Sequence, residues 1–355
     1  MISSADRDAA LRLDQHFPRH CWWVIATTAE VTSTPISRQV LQRRVVLVRT
    51  QNGVIIALDD RCPHRRAPLS LGRLVNEEIE CLYHGLRFNR EGQCTRVPGQ
   101  PNIPSALKAS SYPVYEHGPF VWIWVGETER ADPDLLPNIQ WLSDTKYLRT
   151  GNYMQINCDY VILWENIMDA AHFPFLHGNR SGSVQVNFSD YLQTTTEANG
   201  NIIKMDFRVS ARPPTNLELR SMDVKPEDKI ETAAKSTLVL PSYWIQETEI
   251  IHLSTSTETI NSYFYKALQG VTPISPGRCH WWWVTIQNYG YPLPNKWQEA
   301  YDNLLEEDRN MLERVQVSIN EDTRGTHARD ALIRSDRTVI DIRIALQRIL
   351  ETELR

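Results

Sequence analysis

Short apolar runs separated by turn residues dominate the first third of the chain. Residues 45–48 and 54–58 are two such runs, and the segment between them contains Asn52-Gly53, a dipeptide that favours tight hairpin turns. A similar pattern around His117-Gly118-Pro119 predicts a second hairpin over residues 114–125. The first 125 residues are therefore predicted to be β structure punctuated by turns.

The second half of the chain mixes strand and helix patterns. Apolar runs at 202–209, 236–240, 260–265 and 281–286 predict strands of an antiparallel sheet. Helices are predicted at 160–171, at 295–318, and from just after Ser335 to about residue 351. The helix at 295–318 has an apolar stripe at the following positions: Tyr301, Leu305, Leu312 and Val315.

An acidic segment at 126–144 contains Pro133 and Pro137 and is typical of a linker. It predicts an all-β N-terminal domain at 1–140 and a second domain at 141–355, in which helices flank an antiparallel sheet. The predicted fold class is α+β.

Composition narrows the possible functions. The 355 residues are 41% hydrophobic and 23% charged, as in soluble globular proteins of about two domains. The net charge of −5 argues against a nucleic-acid partner. No apolar run approaches the roughly 18 residues of a membrane span, and the N-terminus lacks a signal-peptide pattern. We therefore expect a cytoplasmic protein with no membrane partner.

Two short segments each contain one cysteine and one histidine, residue types that commonly bind metals. Cys62-Pro63-His64 is followed, after sixteen residues, by Cys81-Leu82-Tyr83-His84. A structural zinc site and a Rieske [2Fe–2S] cluster both use two cysteines and two histidines. Zinc ligands usually come as like pairs, whereas each segment here mixes one Cys with one His, which favours two irons side by side. Four unrelated core residues remain a third interpretation.

A second group of possible ligands lies in the other half of the chain. His172 and His177 are five residues apart and would lie about 140° apart on a regular helix. Pro174 lies between them and is expected to break the helix, so that both rings can turn to one metal. Two imidazoles and a carboxylate form the facial triad of non-haem ferrous oxygenases.

Asp308 is the candidate for the carboxylate, because it falls on the apolar stripe of the predicted helix at 295–318. A lone buried carboxylate is costly unless it is paired or binds a metal. The alternative is a buried salt bridge from Asp308 to Arg212 or Arg343. Glu306 and Glu307 point off the stripe and are expected to be solvated.

Both groups of residues carry a resemblance to one family. The segments Cys62-Pro63-His64-Arg65 and Cys81-Leu82-Tyr83-His84-Gly85 resemble the Rieske signature of ring-hydroxylating and demethylating oxygenases, although Leu86 stands where that family usually has Trp. The second segment resembles the family motif Asn-x2-Asp-x2-His-x4-His, matched by these residues: Asn166, Asp169, His172 and His177. The resemblance is strongest to the demethylase-like group of Rieske non-haem iron oxygenases.

The resemblance implies a specific function. It implies the terminal oxygenase of a multicomponent system, with a cluster on Cys62, His64, Cys81 and His84 and ferrous iron on His172, His177 and Asp308. Electrons would come from NAD(P)H through a separate flavin or iron–sulfur reductase or a ferredoxin, since no Gly-x-Gly-x-x-Gly motif follows a strand. Dioxygen would hydroxylate a small organic substrate, with O- or N-demethylation as one outcome.

Asp169 has a particular role in this resemblance. It would link the iron ligand His172 to the cluster histidine of a neighbouring subunit in a homotrimer, and we assign Asn166 to the catalytic site beside it.

The rival hypothesis is a non-catalytic Rieske electron carrier, which needs only the N-terminal third of the chain. Iron content separates the two: about three irons per chain for the oxygenase and two for the carrier.

Overall fold

A computed structural model describes residues 16–177, 192–253, 260–290, 294–322 and 331–353. The chain divides into two compact units. One consists of Arg19–Asn138 together with Thr272–Ser275, and the other of the remaining described residues. Within the described ranges, none of the helices combines the length and the apolar character that crossing a membrane requires.

The first unit consists of three small antiparallel sheets. Their strand orders are β1-β10-β9, β2-β3-β4 and β5-β6-β7-β8. The strands are β1 Trp22–Thr27, β2 Ile36–Val40, β3 Arg43–Arg49, β4 Ile55–Asp59, β5 Arg73–Val75, β6 Glu78–Glu80, β7 Arg87–Phe88, β8 Cys94–Arg96, β9 Val114–His117 and β10 Phe120–Trp124.

Both hairpins predicted in this unit are confirmed. Strands β3 and β4 pair antiparallel from Val45 opposite Asp59 to Arg49 opposite Ile55. Gly53, in the turn between them, has a φ of +82°, a left-handed conformation that glycine adopts without steric cost. Strands β9 and β10 pair in the same way around Gly118.

The second unit is built on one seven-stranded antiparallel sheet. Its order is β11-β17-β16-β15-β14-β13-β12. The strands are β11 Leu148–Ile156, β12 Leu192–Asn199, β13 Ile202–Arg212, β14 Lys229–Val239, β15 Tyr243–Leu253, β16 Ile260–Ser275 and β17 Arg278–Gln287. The helices are α1 Tyr160–Ile167, α2 Phe173–Leu176, α3 Asn216–Ser221, α4 Pro294–Glu321 and α5 Arg337–Glu353. This arrangement confirms the predicted α+β class.

Two details of the predicted helices are wrong. The first helix ends at Ile167, four residues before the predicted end. On α4, Val315 is 36% exposed, whereas Gln316 is buried. The buried stripe of α4 therefore advances by four residues from Leu312 to Gln316, as the 3.6-residue period of an α-helix allows.

Candidate active site

The two segments that carry Cys62 and Cys81 form loops with the same backbone hydrogen bonds. The Cys62 N–H donates to the carbonyl of Ala67, and the Arg66 N–H donates to the carbonyl of Cys62, both at 2.8 Å. In the second loop Cys81 N–H donates to Leu86 at 2.8 Å, and Gly85 N–H donates to Cys81 at 2.9 Å. The mixed Cys/His segments thus fold into two equivalent loops.

The fourth residue after each cysteine has a left-handed backbone. Arg66 has a φ of +61° and Gly85 a φ of +71°. This conformation is uncommon outside glycine, so its presence in Arg66 shows that the loop geometry is imposed by its surroundings. The two loops are repeated local structures and not a chance pairing of four side chains.

Each loop offers one buried and one exposed ligand. Cys62 and Cys81 are 2% and 1% exposed and belong to a core that also contains Leu86, the residue that replaces the family's Trp. The rings of His64 and His84 are exposed, and their centroids are 4.6 Å apart. Two buried thiols beside two adjacent imidazoles fit the ligand set of a Rieske cluster.

Buried carboxylates anchor the chain immediately before each loop. Asp60 accepts hydrogen bonds from Ser37 Oγ, Ser70 N and Ser70 Oγ, each at 2.7 Å. Glu80 accepts from Arg87 and Arg73, whose guanidinium groups hold the pKa of Glu80 below its ordinary value. These contacts fix the loops from outside the ligand set, and the sequence analysis missed them.

The second predicted group of ligands converges on one point. One ligand atom from each of His172, His177 and Asp308 lies within 4.8 Å of the others. Asp308 Oδ1 is 3.5 Å from His172 Nε2 and 3.3 Å from His177 Nε2. His177 and Asp308 are 1% and 4% exposed. Two imidazole nitrogens and a carboxylate facing one another fit a facial triad for ferrous iron.

Helix α1 ends earlier than predicted, and the turn that follows it leads to the two histidines. After α1 ends at Ile167, Asp169 Oδ1 accepts a hydrogen bond from Ala171 N at 2.7 Å. Such a side-chain acceptor competes with the helical backbone and favours a turn. Pro174 does not cause the break, because it lies in the first turn of α2, where its missing N–H costs nothing.

Helix α2 is a single turn, with His172 immediately before it and His177 immediately after it. Phe173 contacts both imidazoles: its ring stacks on His172 at 4.9 Å and meets His177 edge-on at 5.2 Å. The aromatic ring therefore limits the rotation of both histidines. Its position directly after a candidate ligand was the sequence signal for this role.

Glu307 is not solvated, so that expectation is wrong. Its Oε2 is 3.0 Å from His177 Nδ1, and its side chain is only 18% exposed. A carboxylate on the far nitrogen of a ligating histidine fixes the tautomer and turns the other nitrogen towards the metal. Glu306, in contrast, pairs with Arg309 at the surface of α4.

The two salt bridges considered for Asp308 do not form. Arg212 pairs with Glu218 at 2.7 Å, and Arg343 pairs with Glu165. Asp308 instead accepts a hydrogen bond from Asn166 Nδ2 at 3.2 Å. Asn166 thus holds the carboxylate from α1, whereas α4 supplies the carboxylate itself.

Asp169 lies beside His172, with Oδ2 3.6 Å from Nδ1, a separation longer than a hydrogen bond. Its side chain is 32% exposed. The carboxylate is thus close to an iron-ligand candidate and is also accessible from outside the site.

The electrostatics of this group favour a cation. Burial opposes protonation of His177, but the hydrogen bonds and charges of Asp308 and Glu307 outweigh burial and raise its pKa above the ordinary value. Two carboxylates around one buried imidazole thus attract a positive charge at its nitrogens. The residues present therefore fit a divalent iron, whose binding replaces the proton.

A cavity of about 230 Å³ extends from this group along the sheet. Asn166, Asp169, His172 and Asp308 line one end. Most of the other lining residues are aromatic or aliphatic. Most of these apolar residues come from strands β13 to β17 and helix α4. Trp281 of β17 lines this cavity, and its Nε1 donates to Gln269 Oε1 at 2.8 Å.

A Cys/His loop pair and a His/His/Asp group beside an apolar cavity define a Rieske-type non-haem iron oxygenase. Comparison with known families agrees: the Rieske [2Fe-2S] domain matches residues 21–112, and the vanillate O-demethylase oxygenase C-terminal domain matches residues 156–352. The chain belongs to the family of vanillate O-demethylase oxygenases.

Individual relatives match over most of the chain. It is 28% identical to a vanillate O-demethylase oxygenase subunit from a Pseudomonas species, over 85% of this chain and 87% of the relative. It is 29% identical to the oxygenase component of dicamba O-demethylase from Stenotrophomonas maltophilia, over 84% and 88%. A crystal structure of dicamba monooxygenase bound to 3,6-dichlorosalicylic acid matches with a TM-score of 0.84 and 26% identity, over 95% of this chain and 99% of that one.

The protein is therefore the terminal oxygenase component of a Rieske non-haem iron system, as the sequence predicted. It uses dioxygen and electrons from a separate reductase to hydroxylate a C–H bond of an organic substrate. Its cofactors are a Rieske [2Fe–2S] cluster and a mononuclear non-haem iron. The comparisons give no support to a non-catalytic electron carrier, because the oxygenase domain covers residues 156–352.

Proposed function

We propose that the cluster is held by Cys62 and Cys81 on one iron and by His64 and His84 on the other, within a domain at 1–140. The mononuclear iron is held by His172, His177 and Asp308 within a domain at 141–355. The observation that carries this assignment is the convergence of three ligand atoms within 4.8 Å at the end of an apolar cavity.

The working assembly is a homotrimer in which electrons pass from the cluster of one chain to the iron of the next. The exposed rings of His64 and His84, with Leu82 and Tyr83 70% and 62% exposed beside them, leave one face of the cluster loops open to a second chain. Asp169 is the acceptor on that second chain, since its carboxylate is accessible and lies beside His172. A ring of head-to-tail contacts serves each cluster and each iron once.

The reaction is oxidative demethylation of an ether or an amine. Iron supplies dioxygen activation, and the net change at a methyl ether consumes one O2, two electrons and two protons to give R–O–CH2OH and water. Breaking the O–CH2 bond of this hemiacetal then releases R–OH and formaldehyde. The protein residues hold the substrate methyl group at the iron end of the cavity, and its apolar walls exclude bulk water.

The electrons come from NAD(P)H through a flavin and iron–sulfur reductase or a ferredoxin, and the system works in the cytoplasm. Asn166 is a positioning residue in this proposal, because it acts on Asp308 by a hydrogen bond. It holds the carboxylate oxygen in the orientation that the iron requires.

Metal analysis and product analysis of the full-chain protein test the proposal. The wild type should contain about three irons per chain, and with a reductase it should release one formaldehyde per O2 and NADH consumed. Asp308→Ala should contain two irons, keep the Rieske spectrum and make no product. Asp302→Ala on the same helix is the matched control and should keep all three. Iron retention and turnover in Asp308→Ala would overturn the assignment.

A further inference from the structure

Among the described residues, the cavity lining contains one buried ion pair formed by residues other than the candidate iron ligands. Its charged lining residues, among those that the structure describes, are Asp169, Arg212, Glu218 and Asp308, together with His172. Asp169 and Asp308 lie beside the candidate iron-binding group, where a bound iron would balance their charge. Arg212 and Glu218, 3% and 7% exposed, are the other charged residues of the described lining that can meet a substrate.

The geometry of this ion pair leaves Arg212 committed to Glu218. Arg212 donates from both terminal nitrogens to the two carboxylate oxygens, each at 2.7 Å. Glu218 Oε2 also accepts from the backbone N–H of Thr215 at 2.7 Å and from its hydroxyl at 3.0 Å. Buried bidentate pairs with further hydrogen bonds resist rearrangement, because breaking one strands a charge away from water.

Several neutral polar groups of the cavity are bonded to one another, whereas the indole N–H groups of Trp244 and Trp297 have no hydrogen-bond partner among the described residues. Gln246 donates to Thr248 Oγ1 at 2.8 Å and to Tyr265 Oη at 2.5 Å, and it accepts from Ser236. Gln269 accepts from Trp281 and donates to Tyr301. Burial raises the pKa values of the Tyr265, Tyr289 and Tyr301 hydroxyls, so these groups stay neutral.

We propose that this cavity selects uncharged aromatic substrates and disfavours carboxylates, because the Arg212–Glu218 pair already neutralises the cation that a carboxylate would need. The inference rests on the proposed function, in which this cavity holds the substrate. A carboxylate entering here would lose its hydration without gaining an uncompensated cation from the described lining, which is costly in a buried site. Aromatic walls from Phe207, Trp244 and Trp281 suit a flat, uncharged ring.

The experiment compares ligands of one shape and different charge. Benzamide against benzoate, and 4-methoxybenzamide against 4-methoxybenzoate, are titrated into the full-chain holoenzyme by anaerobic calorimetry. The wild type should bind each amide at least about tenfold more tightly than its carboxylate. Equal or tighter binding of the carboxylates, or failure of every amide to bind, would overturn the proposal.

Variants of the pair should change this selectivity in a defined direction. Glu218→Gln leaves the Arg212 charge uncompensated, so the Kd of both carboxylates should fall about tenfold or more while the amides change little. Arg212→Gln should not bind carboxylates more tightly than the wild type does, because it removes the cation. If Glu218→Gln does not fold, the amide and carboxylate affinities of Arg212→Gln and of the wild type still test the proposal. The matched control is Glu247→Gln on β15. This variant removes a carboxylate from a surface ion pair with Lys266 of β16.

Unchanged selectivity in a folded Glu218→Gln protein contradicts the proposal. Formaldehyde release is measured separately with 4-methoxybenzamide, so the two proposals fail in different ways. If the amide binds with the expected selectivity but is never demethylated by the reduced enzyme, the charge inference stands and the demethylation proposal fails.

Discussion

Glu307 and Asn166 contact the proposed iron ligands without belonging to the proposed ligand set. Each contacts one proposed ligand: the carboxylate of Glu307 accepts from His177 Nδ1–H, and Asn166 Nδ2 donates to Asp308. Both contacts join different helices or turns across more than 100 residues of sequence. The site therefore depends on the packing of α1 against α4 as well as on the ligands.

Glu307→Ala should lower iron affinity or activity by about 10- to 100-fold, because His177 loses the partner that orients its ring. Equilibrium dialysis of iron and single-turnover product yield measure the two effects. Glu306→Ala is the matched control, since Glu306 pairs with Arg309 instead. Equal iron retention in the two variants would show that Glu307 does not position His177.

His84→Cys should lower the reduction potential of the cluster, because a charged thiolate replaces a neutral imidazole. Spectroelectrochemical titration of the full-chain protein measures the potential directly. Tyr83→Phe is a suitable control, since the Tyr83 ring lies 3.9 Å from the His84 ring and removal of its hydroxyl leaves the ligand set intact. A potential that is unchanged in His84→Cys would remove His84 from the ligand set.

The sequence predicted candidate ligands that the structure brings together, but it did not predict the residues that contact them. The Cys and His candidates can be recognised by their spacing, and Asp308 by its place on an apolar helix stripe. Glu307 carries no such mark, because one more glutamate on an acidic helix resembles a solvated side chain. Only the position of His177 Nδ1 reveals its role, and that position follows from the turn at Asp169, which helix periodicity did not predict.

At the scale of elements, the end of α1 is fixed by helix α5. Thr338 Oγ1 donates to the carbonyl of Met168 at 2.9 Å, and Thr338 is 2% exposed. Met168 is the residue directly after α1, and Asp169 follows it. Helix α5 thus satisfies a carbonyl that α1 leaves open and holds the turn that presents His172.

Thr338→Val keeps the shape of the side chain but leaves the buried Met168 carbonyl without its donor. We expect a loss of about 1–3 kcal/mol in the free energy of unfolding, together with weaker iron binding. Chemical denaturation and iron dialysis measure these changes. Thr352→Val, which removes an exposed hydroxyl bonded to Arg348 within the same helix, should change neither. Wild-type iron affinity in Thr338→Val would show that this contact of α5 does not support iron binding.

The strands that sequence reasoning missed have a physical reason for being hidden. Strand β15 turns Gln246, Thr248 and His252 towards the interior, where they are 7%, 4% and 5% exposed. Polar residues on the inner face erase the apolar alternation that marks a strand. Gln246 and Thr248 on this inner face line the cavity. The apolar alternation of a strand is therefore lost where the sheet forms the wall of the cavity.

At the scale of the whole molecule, the proposed electron path joins two chains. The cluster histidines are exposed on one unit, and the accessible Asp169 lies on the other. Asp169→Asn keeps the shape of the side chain and weakens its hydrogen bonds, since charged acceptors bind roughly twice as strongly as neutral ones. Both metal centres should stay loaded, but the reduced cluster should no longer reoxidise with substrate and dioxygen, as rapid mixing would show.

Mixed assemblies test the passage of electrons between chains most directly. Asp169→Asn chains keep the cluster but lack the bridge, and Cys62→Ala chains lack the cluster but keep Asp169 and the iron site. Each variant alone should be inactive, and co-assembled chains should regain part of the wild-type formaldehyde yield in a single turnover. Wild-type activity of Asp169→Asn alone would show that Asp169 is not the bridge. Assemblies that are shown to contain both chains and yet stay inactive would contradict transfer between subunits.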